Sequence, residues 1–153
     1  MSRVTTKIAE TFNEPPASKA AIFQPRAEKF PPPPVLVVDD EPLIRWSVNQ
    51  SLSDLGYSVE EASDAASALK IVTTSPKPFE VVVLDLRLPD MNDLSLLGTL
   101  RQLMPDAQLI LMTAFGSPEI MADAAARGVE VLSKPFELSD LSRMILEHQA
   151  DVR

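Results

Sequence analysis

Three acidic residues, Asp39, Asp40 and Glu41, follow a run of four apolar residues, Val35 to Val38. A second apolar run, Val81 to Leu84, ends in a lone acid, Asp85. A third, Leu109 to Met112, ends in the hydroxyl of Thr113, and a short one near Val131 ends in Lys134 and Pro135. Carboxylates of this kind suit a hard divalent cation, Mg²⁺ above all, which takes one or two carboxylates and leaves room for phosphate oxygens. Beside such an ion Asp85 can attack an electrophilic phosphoryl group and form a mixed anhydride. The ammonium of Lys134 and the hydroxyl of Thr113 can meet the transferring oxygens. Cysteine is absent and the one imidazole, His148, lies far along the chain, so neither zinc nor thiolate chemistry is indicated.

Each residue taken singly has an ordinary reading. Asp39, Asp40 and Glu41 could simply charge a helix start, where the dipole favours anions. Asp85 could be a loop acid, Thr113 a strand-end residue, and Lys134 a solvated turn lysine. Four apolar runs that all end in groups of one chemical kit outweigh those readings together.

The elements that must position these groups alternate along the chain. Short apolar runs bounded by helical patterns read as buried parallel strands. After the first, Pro42 suits a first helical turn. Ile44, Val48, Leu52 and Leu55 then form one stripe, and Gly56 is placed to end the helix. Trp46 falls off that stripe and is expected at the surface. A strand over 57–62 leads to a helix capped by Ser63 or Asp64, with Ala65, Ala68, Leu69 and Val72 inward. A third helix buries Leu97, Leu100 and Met104; a fourth, capped by Ser117, turns Met121, Ala124 and Ala125 inward. A strand over 130–133 precedes a fifth helix carrying Leu138, Leu141 and Ile145. The methionines at 104, 112, 121 and 144 read as core filler, and Glu60, Glu61, Glu119, Glu130 and His148 as solvated. The count is (βα)₅, an α/β doubly wound parallel five-stranded sheet of expected order 2-1-3-4-5. Ligands of open parallel sheets bind at the carboxyl ends of the strands, and this order brings Asp39, Asp40 and Asp85 to the switch point.

Residues 1–34 hold seven of the fourteen prolines, with five basic and three acidic side chains, a net of +2. Residues 35–153 hold nine basic and nineteen acidic, a net of −10. The first segment cannot bury enough apolar surface to offset its ordering entropy, so residues 1–34 read as a disordered Pro-rich extension, with Pro31 to Pro34 as a stiff polyproline spacer. Residues 35–150 read as the folded domain. Its acidic body argues against direct nucleic-acid binding and for protein partners. No apolar run suffices to cross a bilayer and no signal peptide is evident, so a cytoplasmic location without membrane contact is expected.

Four motifs, Val37-Val38-Asp39-Asp40-Glu41, Leu84-Asp85-Leu86-Arg87-Leu88-Pro89, Met112-Thr113-Ala114 and Ser133-Lys134-Pro135-Phe136, occur in order at strand ends. With them, residues 35–147 closely resemble the receiver domain of two-component response regulators. That resemblance implies a flavodoxin-like fold and Asp85 as phosphoacceptor, charged by a sensor histidine kinase or a histidine phosphotransfer protein. It also implies Mg²⁺ held by Asp40, Asp85 and the backbone carbonyl of Arg87, with Asp39 acting through water. Thr113 would be the switch hydroxyl and Lys134 the phosphate-contacting base. The implied protein is a signalling module rather than an enzyme, although it catalyses its own phosphotransfer and dephosphorylation. It would be a monomer or a phosphorylation-dependent dimer, with a downstream protein target met through the fourth helix, last strand and fifth helix.

Leu43-Ile44-Arg45-Trp46-Ser47 and Arg87 resemble the receivers of enhancer-binding activators. The sequence ends soon after the fifth helix, so a single-domain regulator is expected. Three positions depart from the family pattern: Val131 where an aromatic is usual, Asp93 where a glycine is common, and a stretch from Gly128 to Lys134 one residue short. These departures leave open a structural module that keeps the fold without the switch. An aspartate-nucleophile phosphatase would need a second acid two residues after Asp85, where Arg87 stands. The glycines at 56, 98, 116 and 128 make no phosphate-cradling loop.

Overall fold

The computed structural model describes residues 32–91, 94–114 and 116–151, with the side chain of Asp151 excepted. The chain divides into two units between Pro32 and Pro33. Nearly all of the expected extension, and Asp93 and Phe115, lie outside the described residues. The second unit is a five-stranded parallel sheet of order β2-β1-β3-β4-β5. In chain order its elements are β1 (Pro34–Val38), α1 (Pro42–Asp54), β2 (Ser58–Ala62), α2 (Ala65–Thr74), β3 (Val81–Asp85), α3 (Ser95–Leu103), β4 (Gln108–Thr113), α4 (Pro118–Ala126), β5 (Val129–Ser133) and α5 (Leu138–Asp151). Five strands, five helices and the expected order are all present.

Pro34 is a strand residue rather than part of a spacer. It pairs with Ser58, and its carbonyl accepts from Glu80 N at 2.9 Å. Proline is tolerated as the first residue of a strand, where its missing N–H interrupts no ladder.

Alternate residues of the inner strands feed two cores, one on each face of the sheet. Leu36, Val38, Val82, Leu84, Leu109 and Leu111 pack with Ala65 and Ala68 of α2, Leu97 and Leu100 of α3 and Ala124 of α4. Val35, Val37, Val81, Val83, Ile110 and Met112 pack with Val48 and Leu52 of α1 and with Leu141 and Ile145 of α5. Burying a side chain of this size stabilises the fold by roughly 1.5–3 kcal/mol. Because both faces are covered, β3 and β4 run apolar from Val81 to Leu84 and from Leu109 to Met112, with polar residues only at their ends, which is why the sequence shows runs there and not alternation.

Local signals set the helix ends. Gly56, at φ +97°, closes α1: its N–H donates to Ser53 O at 3.0 Å and Tyr57 N to Leu52 O at 3.1 Å. This paired arrangement requires a left-handed residue at that point. Of the two candidate caps for α2, Asp64 is the one used, accepting from Ser67 N at 2.7 Å. Ser117 caps α4 through Ile120 N.

Two expectations fail on α4. Met121 is 42% exposed and Ala125 is exposed, whereas Ala124 is buried with Ile120 packed beside it. The alanine-rich helix offers two i,i+4 pairs one residue apart, and the pair that meets the sheet is Ile120/Ala124. Met121 is therefore surface and not core filler. Glu61 is also not merely solvated, since it accepts from Arg45 Nε at 3.1 Å and from Asn49 Nδ2 at 2.6 Å.

Candidate metal centre

Register decides which side chains meet. Val38 pairs with Leu84 and with Ala62, so Asp39, the next residue, emerges beside Asp85 at the carboxyl ends of adjacent central strands. Asp85 in turn pairs with Met112, and Thr113 with Ser133, which carries the rim across to Lys134. Ligand oxygens of Asp39, Asp40 and Asp85 lie within 4.8 Å of one another. Asp39 is fully buried and Asp85 nearly so, while Asp40 opens to solvent.

Lys134 Nζ stands 3.2 Å from Asp85 Oδ2, 3.5 Å from Asp39 Oδ2 and 3.8 Å from Glu41 Oε1. Its backbone N–H donates to Thr113 O at 2.8 Å, so the ends of β4 and β5 are stitched together under the ammonium. The Lys134–Pro135 peptide bond is cis. Thr113 is buried at the same rim. Arg87 is exposed, and its backbone N–H donates to Asp85 Oδ1 at 3.2 Å, folding the loop after β3 back on the carboxylate.

The electrostatics follow from burial and crowding. Loss of water pushes the Asp39 carboxyl above its ordinary value, and Asp85 and Glu41 add to the shift; the hydrogen bond from Glu41 N at 2.8 Å and the charge of Lys134 oppose it. Burial tends to lower Lys134, but Asp39, Asp85 and Glu41 together outweigh it and hold the ammonium above its ordinary value. Three carboxylates thus contact one ammonium, with Asp40 a fourth in the cluster, and such an excess of negative charge favours a cation. Every side-chain donor in the cluster is a hard oxygen. The set fits Mg²⁺ and offers nothing softer that zinc or copper would select.

Sequence reasoning assigned no specific role in the site to three contributors. Glu41 ties its amide to Asp39 Oδ1 and its carboxylate to Lys134. Arg45 Nη1 donates to Asp39 O at 2.7 Å while Glu61 holds the other edge of its guanidinium. Asp90 reaches from the loop after β3 to the start of α2. Glu41 and Arg45 stand in motifs already noted, but exposed polar residues follow no apolar period that would reveal their partners.

Known proteins resemble this chain in sequence and in fold. A family model described as the response regulator receiver domain matches residues 35–146. The probable transcriptional regulatory protein TcrX of Mycobacterium tuberculosis is 37% identical over 111 residues, 72% of this chain and 47% of that protein. The response regulator MprA of Mycolicibacterium vanbaalenii is 39% identical over 108 residues, 70% of this chain and 46% of that protein. The DNA-binding transcriptional regulator NtrC of Azospirillum brasilense is 31% identical over 112 residues, 72% of this chain and 23% of that protein. This chain therefore spans half or less of the length of these curated relatives. Among solved structures, a CheY-like receiver domain protein of Methanospirillum hungatei superposes with a TM-score of 0.73 at 30% identity, covering 78% of this chain and 95% of that one. The chemotaxis response regulator CheY4 of Vibrio cholerae gives 0.68 at 29% identity, covering 76% and 98%.

Proposed function

This chain belongs to the response regulator receiver family of two-component signalling, and we propose that it accepts a phosphoryl group on Asp85 in a Mg²⁺-dependent reaction. One observation carries the reading: three carboxylates converge within 4.8 Å at the sheet's switch point, with an ammonium 3.2 Å from Asp85. Asp40, Asp85 and the carbonyl of Arg87 would hold the ion, and Asp39 would act on it through water. When bound, Mg²⁺ supplies charge to the transferring oxygens and offsets the crowded carboxylates.

The residues of the chain do the rest. Asp85 Oδ attacks phosphorus of a phosphohistidine on a histidine kinase or phosphotransfer protein. A P–O bond forms, the P–N bond breaks, and the imidazole nitrogen leaves with the electron pair. The bond from Arg87 N to one oxygen of Asp85 leaves the other for attack, and it is this second oxygen that Lys134 faces. Once the acyl phosphate exists, Asp85 has lost its charge, and Lys134 is freed to follow the new phosphoryl oxygens. Thr113 stands on the adjoining strand end to donate its hydroxyl to another.

Val131, half-buried on β5, replaces the aromatic whose rotation normally reports the threonine's movement. The signal then leaves through the strand-end stitch of Thr113 and Lys134 rather than through a ring flip. A groove of about 520 Å³ beside the site, lined by Leu43, Ile44, Val48, Lys134, Phe136 and Leu138, supplies an apolar contact face for a protein donor. The reading places the chain in the cytoplasm; no helix among the described residues is long and apolar enough to cross a membrane.

Acetyl phosphate with Mg²⁺ is expected to give a slower band on a phosphate-affinity gel for the native chain and none for Asp85→Asn. No slower band for the native chain, under conditions that label a control receiver, refutes the reading.

A further inference from the structure

Asp90 lies in the exposed turn of the loop after β3, and none of the chemistry above uses it. Its two oxygens accept from successive amides at the start of α2: Oδ1 from Ala65 N at 2.8 Å and Oδ2 from Ala66 N at 3.0 Å. Those bonds hold its carboxyl below the ordinary carboxylate range. Helix α2 already carries its own cap, since Asp64 takes the N–H of Ser67. Asp64 leaves the Ala65 and Ala66 amides open, and Asp90, delivered from another loop, takes both and so ties that loop to the helix.

What it ties together is visible in the backbone. Leu88 and Met91 exchange backbone hydrogen bonds of 3.0 and 3.2 Å, which closes a rigid turn with Asp90 near its tip. At the other end of the same loop, Arg87 N donates to Asp85 Oδ1. On the far side of the site, Ala62, just ahead of α2, accepts the N–H of Asp39 at 3.1 Å. The start of α2 is thus attached to Asp39 through Ala62 and to the loop of Asp85 through Asp90.

We propose that Asp90 is a positioning residue for the metal centre: by anchoring the loop after β3 to the start of α2, it sets the separation between the Asp39–Asp40 turn and the Asp85–Arg87 segment. The inference rests on the Mg²⁺ reading above and adds a role outside the ligand set. Outer residues that orient ligands typically change metal affinity 10–100-fold when removed. Asp90 is exposed and its bonds compete with water, so the lower end of that range applies.

The test compares Asp90→Ala with Asp64→Ala in the full chain, since both remove a cap from α2 but only the first releases the loop. Calorimetric Mg²⁺ titration should show affinity about 10-fold weaker in Asp90→Ala and within twofold of native in Asp64→Ala. In metal-free protein, NMR should show faster amide exchange at Arg87 in Asp90→Ala alone. Asp90→Asn keeps the shape and one acceptor, and should fall between; it carries the test if the alanine variant does not fold. Equal shifts in both alanine variants would reduce Asp90 to a helix cap, and no shift in Asp90→Ala would also overturn the proposal. If the native chain binds no Mg²⁺, the metal reading fails by itself and the Arg87 amide still decides whether Asp90 holds the loop.

Discussion

Replacing Lys134 by methionine tests the charge balance of the site most directly. Methionine keeps much of the alkyl stem that lines the groove beside Phe136, so the change isolates the ammonium. The carboxylates of Asp39, Asp85 and Glu41 then lose the ammonium that contacts all three, while Asp39 has no access to water. Removing one partner of a buried pair costs about 3–5 kcal/mol, and a hydrogen bond to a charged group is worth about 1.5–3 kcal/mol. Asp40 and Glu41 are exposed and water reaches the rim, so the lower part of the combined range applies, about 2–3 kcal/mol. For a folded unit of this size the melting temperature should fall by roughly 8–12 °C in metal-free buffer, read by far-ultraviolet circular dichroism. Saturating Mg²⁺ should close at least half of the gap, because a dication replaces the missing charge. Because Lys134 titrates above its ordinary value, its contribution is complete below pH 10.5 and fades only as pH rises through the higher folded value. A Lys134→Met protein as stable as native without Mg²⁺ would refute the reasoning, as would a loss that Mg²⁺ does not touch.

Three further outcomes follow from other parts of the fold. In metal-free protein the Asp39 carboxyl, followed by carbon NMR, should titrate above 3.8; its ionised form then costs stability, so mild acidification favours Asp39's side of the balance, and a midpoint below 3.8 contradicts the burial argument. Arg101 donates to the carbonyls of Pro105, Ala107, Arg127 and Gly128 at the opposite rim, so Arg101→Met should cost about 2–3 kcal/mol in chemical denaturation while leaving labelling by acetyl phosphate intact. Gly56→Ala meets no atom within 4 Å, so its penalty should be the backbone term alone, about 1–2 kcal/mol in the same assay; a neutral result would mean the turn relaxes.

The sequence revealed the sheet because parallel strands covered on both faces must be apolar along their length, and the groups at their ends therefore stood out. Asp39, Asp40, Asp85, Thr113 and Lys134 all reach one rim for that reason. Helix faces were legible where apolar and polar residues contrast, as along Val48 and Leu52. On α4 the contrast vanishes among alanines: Ala124 faces inward as expected, but its partner there is Ile120 and not Met121 or Ala125. Arg45 and Asp90 escaped for a different cause: each acts through backbone groups, of Asp39 for the one and of Ala65 and Ala66 for the other, and such bonds leave no pattern in residue types.

The lone tryptophan, Trp46, is 58% exposed on α1. An indole already more than half exposed has less surface left to uncover when the chain unfolds, so its emission reports melting only weakly. The same indole will shift to the blue when another molecule settles over α1. The single dye on the outside of α1 is thus a better reporter of company than of melting.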